Sequence, residues 1–245
     1  MGKQVIFYNE VVAVSSETHS DWSVEVEGDY SYAKEANAVP LTAVEFRQAA
    51  FEYGIVFVED DNGVMPAVVL GVNDNESFYV NQDGSWDANY IPAFVRRYPF
   101  VFSRSEDGAT NTLCIDESFA GFNQDGKGAA LFDKEGKPTT YTTNVLEFHK
   151  DFQLHDSLTR AYCNKLKELE LLEPMQVNFS LRSGTKRQLG GFMVVNREKL
   201  MNLPADTLAG MAKTEELEMT YLHLHSLMNL HKLGERLSDE EEAAA

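Results

Sequence analysis

The sequence is short of the features that most quickly declare a function. Only two cysteines occur in 245 residues. Cys114 and Cys163 stand in no Cys-x-x-Cys or Cys/His frame, so they form neither a disulfide framework nor a zinc ribbon and are expected as buried, reduced thiols. No apolar run approaches the roughly 20 residues of a membrane-spanning helix, and no integral membrane segment is expected. The opening stretch MGKQVIFYNEVVAV is interrupted by Asn9 and Glu10 and has no small-residue cleavage site. It is not expected to act as an export signal, which is the ground for expecting a cytoplasmic location. Basic residues are scarce, 21 Lys and Arg against 39 Asp and Glu, for a formal net charge of −18. That charge repels phosphate backbones and anionic lipid, so nucleic acid is set aside as a partner. Gly-x-Ser-x-Gly and P-loop patterns are absent, and no cysteine has an evident base; no cofactor is expected.

What is present reads as a folded body. An apolar fraction of 43% beside 24% charged residues is close to the globular average, which argues against disorder outside the C-terminus. The pattern predicts an α+β fold in one compact domain over residues 1–237. Its antiparallel, β-rich N-terminal half covers 1–140 and its helical C-terminal half 141–237, and 238–245 form an acidic disordered tail. Strands are expected at Gln4–Ser15, Trp22–Ala33, Ile55–Asp60, Ala67–Val72 and Ser77–Asn81, with Asp/Asn/Gly turns at 60–63, 73–76 and 82–84. A helix opens at Thr42, with Glu45 closing a capping box, and Gly54 terminates it. Further strands are expected at 111–117 and 128–133, then a helix over Tyr141–Leu172 capped at Thr143. A hairpin of Met175–Arg182 with Gln188–Asn196 and helices at Arg197–Met201 and Ala205–Leu233 complete the chain.

Several constellations invite chemistry and resolve into ordinary structure. The loop from Asp83 fails as an EF hand, because Ala88 occupies the sixth place and Phe94 the twelfth, where Gly and a bidentate Glu are required. His223 and His225 point to opposite faces of a helix, so with His231 they cannot share one ion. They read as histidines satisfied within a core helix. No metal is expected; the best-spaced candidate set is Glu147, Asp151 and His155, at i, i+4 and i+8, against a plain solvated stripe.

The most unusual segment runs from Asp83 to Phe100 and concentrates aromatics, prolines and paired arginines. Pro92 suits the first turn of a short helix that Pro99 stops, turning Phe94, Val95 and Tyr98 toward a core. Arg96 and Arg97 then diverge by about 100°. In so acidic a chain one of them is expected to tie down an internal carboxylate, Asp87 or Asp116. The alternative is a binding site in which Trp86, Asp87, Tyr90, Arg96 and Arg97 hold a carboxylate, a peptide end or a sugar.

This segment, Gly84-x-Trp86-Asp-x-x-Tyr90-x-Pro92-Ala-x-Val-Arg96-Arg97-x-Pro99-Phe100, resembles the central signature of the SapC family. The resemblance extends through Asn37 to Phe46, Glu52 to Phe57, Leu131 to Gly136, Leu171 to Pro174, Gly191 to Leu200 and Leu224 to Asn229, nearly the whole chain. It implies a bacterial or phage-carried protein whose namesake is associated with a paracrystalline surface layer, and it carries no established reaction. The expected function is a non-enzymatic accessory or interaction protein of the bacterial cell envelope, reaching the surface by a non-classical route, with a protein partner, self-assembly or a small ligand. Two alternatives stand beside it. One is a cytoplasmic small-molecule or peptide binder or enzyme using the Trp86–Arg97 segment, with His19, Asp87 or Asp116 as acid–base candidates. The other is a phage or capsid-associated component.

Overall fold

The computed structural model describes residues 6–26, 28–60, 63–105 and 110–243. In chain order the elements are β1 (Val11–Ala13), β2 (Ser23–Val24), β3 (Ala38–Pro40), α1 (Phe46–Ala49), β4 (Gly54–Asp60), β5 (Gly63–Val69), α2 (Ala93–Arg96), β6 (Phe100–Arg104) and β7 (Asn111–Asp116). They continue with β8 (Phe122–Asn123), β9 (Ala129–Ala130), α3 (Thr140–Glu168), β10 (Leu172–Ser180), β11 (Lys186–Val195), α4 (Arg197–Met201), α5 (Ala205–Lys213), α6 (Glu216–Ser226) and α7 (Leu230–Ala243). The fold is α+β, strand-rich toward the N-terminus and helix-rich toward the C-terminus, as the periodicity predicts.

The main sheet has the order β10-β11-β4-β5-β3 and every pairing in it is antiparallel. Two of its five strands come from the helix-rich half, joined where Met193 faces Phe57, so the two halves share one sheet and one core. β5 is buried from Val64 to Val69 without alternation, the pattern of a strand covered on both faces. α3 contributes Tyr162, Cys163 and Leu166 to the same core, α6 contributes His223, and α7 contributes Leu230, Leu233 and Leu237. A second sheet, β1-β7-β6, and a third, β8-β2-β9, enclose a smaller cluster around Phe100, Ile115 and Leu131. Both cysteines are free and buried. Among the described residues no helix is long and apolar enough to cross a membrane.

Several boundaries differ from the pattern-based expectation. The strand expected at Ser77–Asn81 is a turn with a single β-bridge, between Val80 and Trp86. Of the strand expected at Gln4–Ser15 only Val11–Ala13 pairs, and residues 1–5 lie outside the described residues. The α3 cap is Thr139, whose hydroxyl accepts from the Thr142 amide, and not Thr143. The single helix expected over Ala205–Leu233 is three. It breaks at Glu215, which holds a left-handed φ of 62°, and again at Leu227–Asn229. At the second break Asn229 donates to the carbonyls of Ala50 at 2.8 Å and Tyr53 at 3.0 Å. Its amide serves the buried carbonyls that follow α1. Gly54 opens β4, and a Cβ there would lie 2.3 Å from Leu230 Cδ2. The acidic segment expected to fray is helical as far as Ala243, with Leu237 buried and the Ser238 hydroxyl donating to the Gly234 carbonyl at 2.9 Å.

His223 stitches α6 to the sheet. Its Nε2 accepts the Val195 amide at 3.0 Å, which requires the Nδ1–H tautomer, and Nδ1 then donates to the Ile55 carbonyl at 2.9 Å. Burial lowers its pKa to about 4, partly opposed by the Ile55 carbonyl. The folded state therefore refuses a proton that the unfolded chain accepts near pH 6.5. This stability contribution is present above pH 6.5 and drains away as pH falls toward 4, about 3 kcal/mol in all. Urea unfolding of wild type and His223→Gln from pH 7 to 4.5 tests the assignment: the wild type should lose this extra increment, and equal losses in both would assign it elsewhere.

Candidate ligand-binding site

Two carboxylates on one short helical stretch hold the signature segment in place. Glu45, 3% exposed, accepts four hydrogen bonds. Thr42 donates its amide and hydroxyl to Oε2, each at 2.8 Å, the acidic half of the predicted capping box. Oε1 receives the Tyr90 hydroxyl and the Ala93 amide, each at 2.7 Å. About two turns later Glu52 accepts the Asn89 amide at 2.9 Å, the Asn89 side chain at 2.8 Å and the Tyr90 amide at 2.8 Å. Burial alone would raise the Glu52 pKa, but the Asn89 and Tyr90 donors outweigh it and the net shift is downward.

Aromatic hydroxyls extend the clamp. Tyr53 donates to the Tyr90 carbonyl and accepts the Trp86 indole N–H at 2.8 Å. Asp87 is bound by Arg236 at 2.6 Å, and the same guanidinium nitrogen donates to the Phe78 carbonyl. Trp86, Asp87 and Tyr90 are thus engaged in holding the loop, and of the five residues singled out from sequence only Arg96 and Arg97 are left over.

Pro92 starts the α2 turn as the sequence predicts, Phe94, Val95 and Tyr98 are buried, and the two arginines diverge. Arg96 is exposed; its Nε donates to the Ile91 carbonyl at 2.9 Å and its guanidinium lies 5.5 Å from the Phe148 ring centre. Arg97 turns inward, its guanidinium 3.9 Å from the Phe94 ring centre and 5.2 Å from that of Phe152. Arg97 Nε is sealed from solvent with no hydrogen-bond partner.

Neither arginine ties down Asp87 or Asp116, which corrects the expectation of an internal ion pair. Asp87 belongs to Arg236. Asp116 ends β7 opposite Val11, so the free amides of Asn9 and Glu10 reach it first, at 2.9 and 3.0 Å, and Ser118 adds its hydroxyl at 2.7 Å. These donors outweigh the burial that would raise the Asp116 pKa, and the net shift is downward.

Between α2, the first turns of α3 and the Tyr30–Tyr32 stretch lies a cleft of about 530 Å³. Arg96 and Arg97 line it with Tyr30, Phe100, Phe119, Tyr141, Asn144, Phe148 and His149. His149 is buried, with its two ring nitrogens 2.8 Å from the Val145 carbonyl and 3.0 Å from that of Phe100. Burial and the nearby Arg97 charge lower its pKa against the pull of those two carbonyls. Sequence reasoning missed Tyr30, Phe119, Tyr141, Asn144 and His149, which lie in three segments remote from the signature. The one available signal was the seven-residue spacing of Tyr141 and Phe148, which puts both rings on one helix face.

The acid–base candidates do not converge on this cleft. His19 is buried against Trp22, with Nε2 3.2 Å from Glu117; Asp87 and Asp116 have the partners described above; and none of the three lines the cleft. Asp151 and His155 line a neighbouring cleft of about 600 Å³ with Tyr90 and Arg96, without Glu147. Among the described residues no group of three or more His, Cys, Asp or Glu side chains is placed to hold a metal ion.

Comparison with known families gives one match: a family model described as SapC covers residues 14–233. No curated protein and no solved structure matches the chain.

Replacing Glu45 by Ala strands two backbone amides and a tyrosine hydroxyl in the interior, so about 3–5 kcal/mol of stability should be lost. Glu52→Ala, at a partly exposed site, should cost about 1–2 kcal/mol. Urea denaturation followed by tryptophan fluorescence measures both. Equal, small losses would mean that the loop is held by its rings and not by these carboxylates.

Proposed function

Since the chain belongs to the SapC family, we propose that it is a non-enzymatic accessory protein of the bacterial cell envelope that works by binding, with the aromatic cleft beside Arg97 as the place where it binds. The observation that carries the binding role is Arg97 itself. A guanidinium half-buried among rings, with Nε unpaired and no ion pair to any described carboxylate, is a costly arrangement that an anion on its other nitrogens would offset. The envelope role draws on the surface-layer association of the family's namesake.

A catalytic role has less support. General acid–base chemistry needs its groups within hydrogen-bond reach of one reacting centre. His19 and Asp87 are engaged with partners of their own, and Asp116, which accepts from Tyr98 in the cleft wall, is already satisfied by Asn9, Glu10 and Ser118. An amphipathic cleft with two cations on its rim suits recognition better than bond breaking.

The envelope assignment is tested by digesting intact native cells with an external protease and following this chain by mass spectrometry. Its peptides should be released before those of an internal marker protein. Full protection until the cells are lysed would overturn the envelope role and leave a binding protein of the cell interior.

A further inference from the structure

The chain carries a net charge of −18, yet Arg97 forms no ion pair with any described carboxylate. Burial, the largest influence, lowers its pKa, and the Tyr8 hydroxyl and the Asp156 charge oppose it; arginine nevertheless stays protonated. Asp156 is already bonded to Arg160 Nε at 3.0 Å. Burial also pushes the Tyr8 hydroxyl upward, so it remains a neutral phenol. The rings of Phe94, Phe152 and Tyr8 compensate the charge in part. Such contacts recover only part of what withdrawing a cation from water costs. The remainder points to an anion supplied from outside.

The wall of the cleft narrows the chemistry of that anion. The hydroxyls of Tyr32 and Tyr98 are engaged, with the Val95 carbonyl at 3.0 Å and Asp116 Oδ2 at 3.3 Å. By contrast Tyr30, Tyr141 and Asn144 direct no side-chain hydrogen bond to any other described residue. The cleft thus combines aromatic surfaces, three uncommitted polar groups and the side chains of Arg96 and Arg97, and Arg97 also lines a second cleft of about 680 Å³ with Phe152, Asp156 and Arg160. A flat aromatic acid would use the rings and the cations and leave the three polar groups unmatched. A sugar ring has C–H faces that lie on aromatic side chains and hydroxyls around its edge, and a ring carboxylate suits the planar fork of arginine.

We propose that this cleft binds an acidic sugar, a pyranose ring bearing a carboxylate, with the carboxylate at Arg97 and the ring against Tyr141 and Phe148. This rests on the binding role argued above and adds the ligand class. A volume of about 530 Å³ lies within the range of small-ligand sites.

The test is calorimetric titration of the full chain with oligomers of galacturonate, glucuronate and N-acetylneuraminate, beside neutral galactose oligomers and 3-phenylpropionate. At least one acidic oligomer should bind at least tenfold more tightly than the neutral sugar and than phenylpropionate. Arg97→Gln should weaken it at least tenfold. Asn144→Ala, an exposed change that leaves the core untouched, should weaken it about threefold, with thermal unfolding reporting that both variants remain folded. Tighter binding of phenylpropionate would overturn the sugar assignment and leave the binding role standing. No binding to any acidic oligomer would overturn the assignment too. Acidic-sugar binding that both variants retain in full would overturn the site. None of these outcomes bears on the cell-surface digestion, which judges the envelope role separately.

Discussion

A carboxylate closed off from water must find donors for both oxygens or give up its charge, and much of this molecule is arranged around the way Glu45 finds them. Two donors are local, the amide and hydroxyl of Thr42 at the start of its own helical turn. The other two come from more than forty residues later, from Tyr90 and Ala93. A side chain that begins as a helix-capping device therefore also joins two segments, and the position of the Pro92–Arg97 turn follows from that junction. Glu52 repeats the arrangement nearer the surface with Asn89 and Tyr90. Tyr53 adds its hydroxyl between Trp86 and the Tyr90 carbonyl.

The clamp explains why the signature is so rich in residues that look functional. An indole, a carboxylate and a phenol within five positions suggest a ligand site, yet in the folded chain each is paired with another part of the protein. The segment's relation to function is indirect: by fixing the backbone through residue 93 it determines which way the next two arginines leave the α2 turn. Arg96 rests on Phe148 toward solvent and Arg97 passes inward between Phe94 and Phe152. The second long-range stitch, His223 between β4 and β11, anchors the helical half to the sheet and works only while the imidazole is neutral.

The uneven charge of the molecule acquires a local meaning in this geometry. Thirty-nine acidic side chains offer ample counter-ions: Arg47 pairs with Glu215 and Glu218, Arg160 with Asp156 and Arg236 with Asp87. Arg97 takes none among the described residues, although carboxylates elsewhere in the same region are satisfied by amides and hydroxyls. An arginine held by rings in an otherwise well-paired interior is a specific departure, and it borders a cleft walled by other rings.

The sequence by itself determined the local and periodic features. These include the α+β class, the α3 helix, the β10–β11 hairpin, the capping box at Thr42 and Glu45, the Pro92 turn with its buried Phe94, Val95 and Tyr98, and the family to which the chain belongs. Such features depend on spacing, backbone chemistry and turn residues within a dozen positions, all of which can be read along the chain. Only the tertiary structure decided the partners: Asp87 with Arg236, Asp116 with the amides before β1, and Arg97 with aromatic faces and no carboxylate among the described residues. It also decided that Tyr30, Phe119, Tyr141 and Asn144 share one cleft with Arg97. The physical reason is range. A buried charge selects whichever donor or acceptor the packed elements bring within about 3 Å, and that choice is made by sheet order and helix breaks that no local pattern encodes.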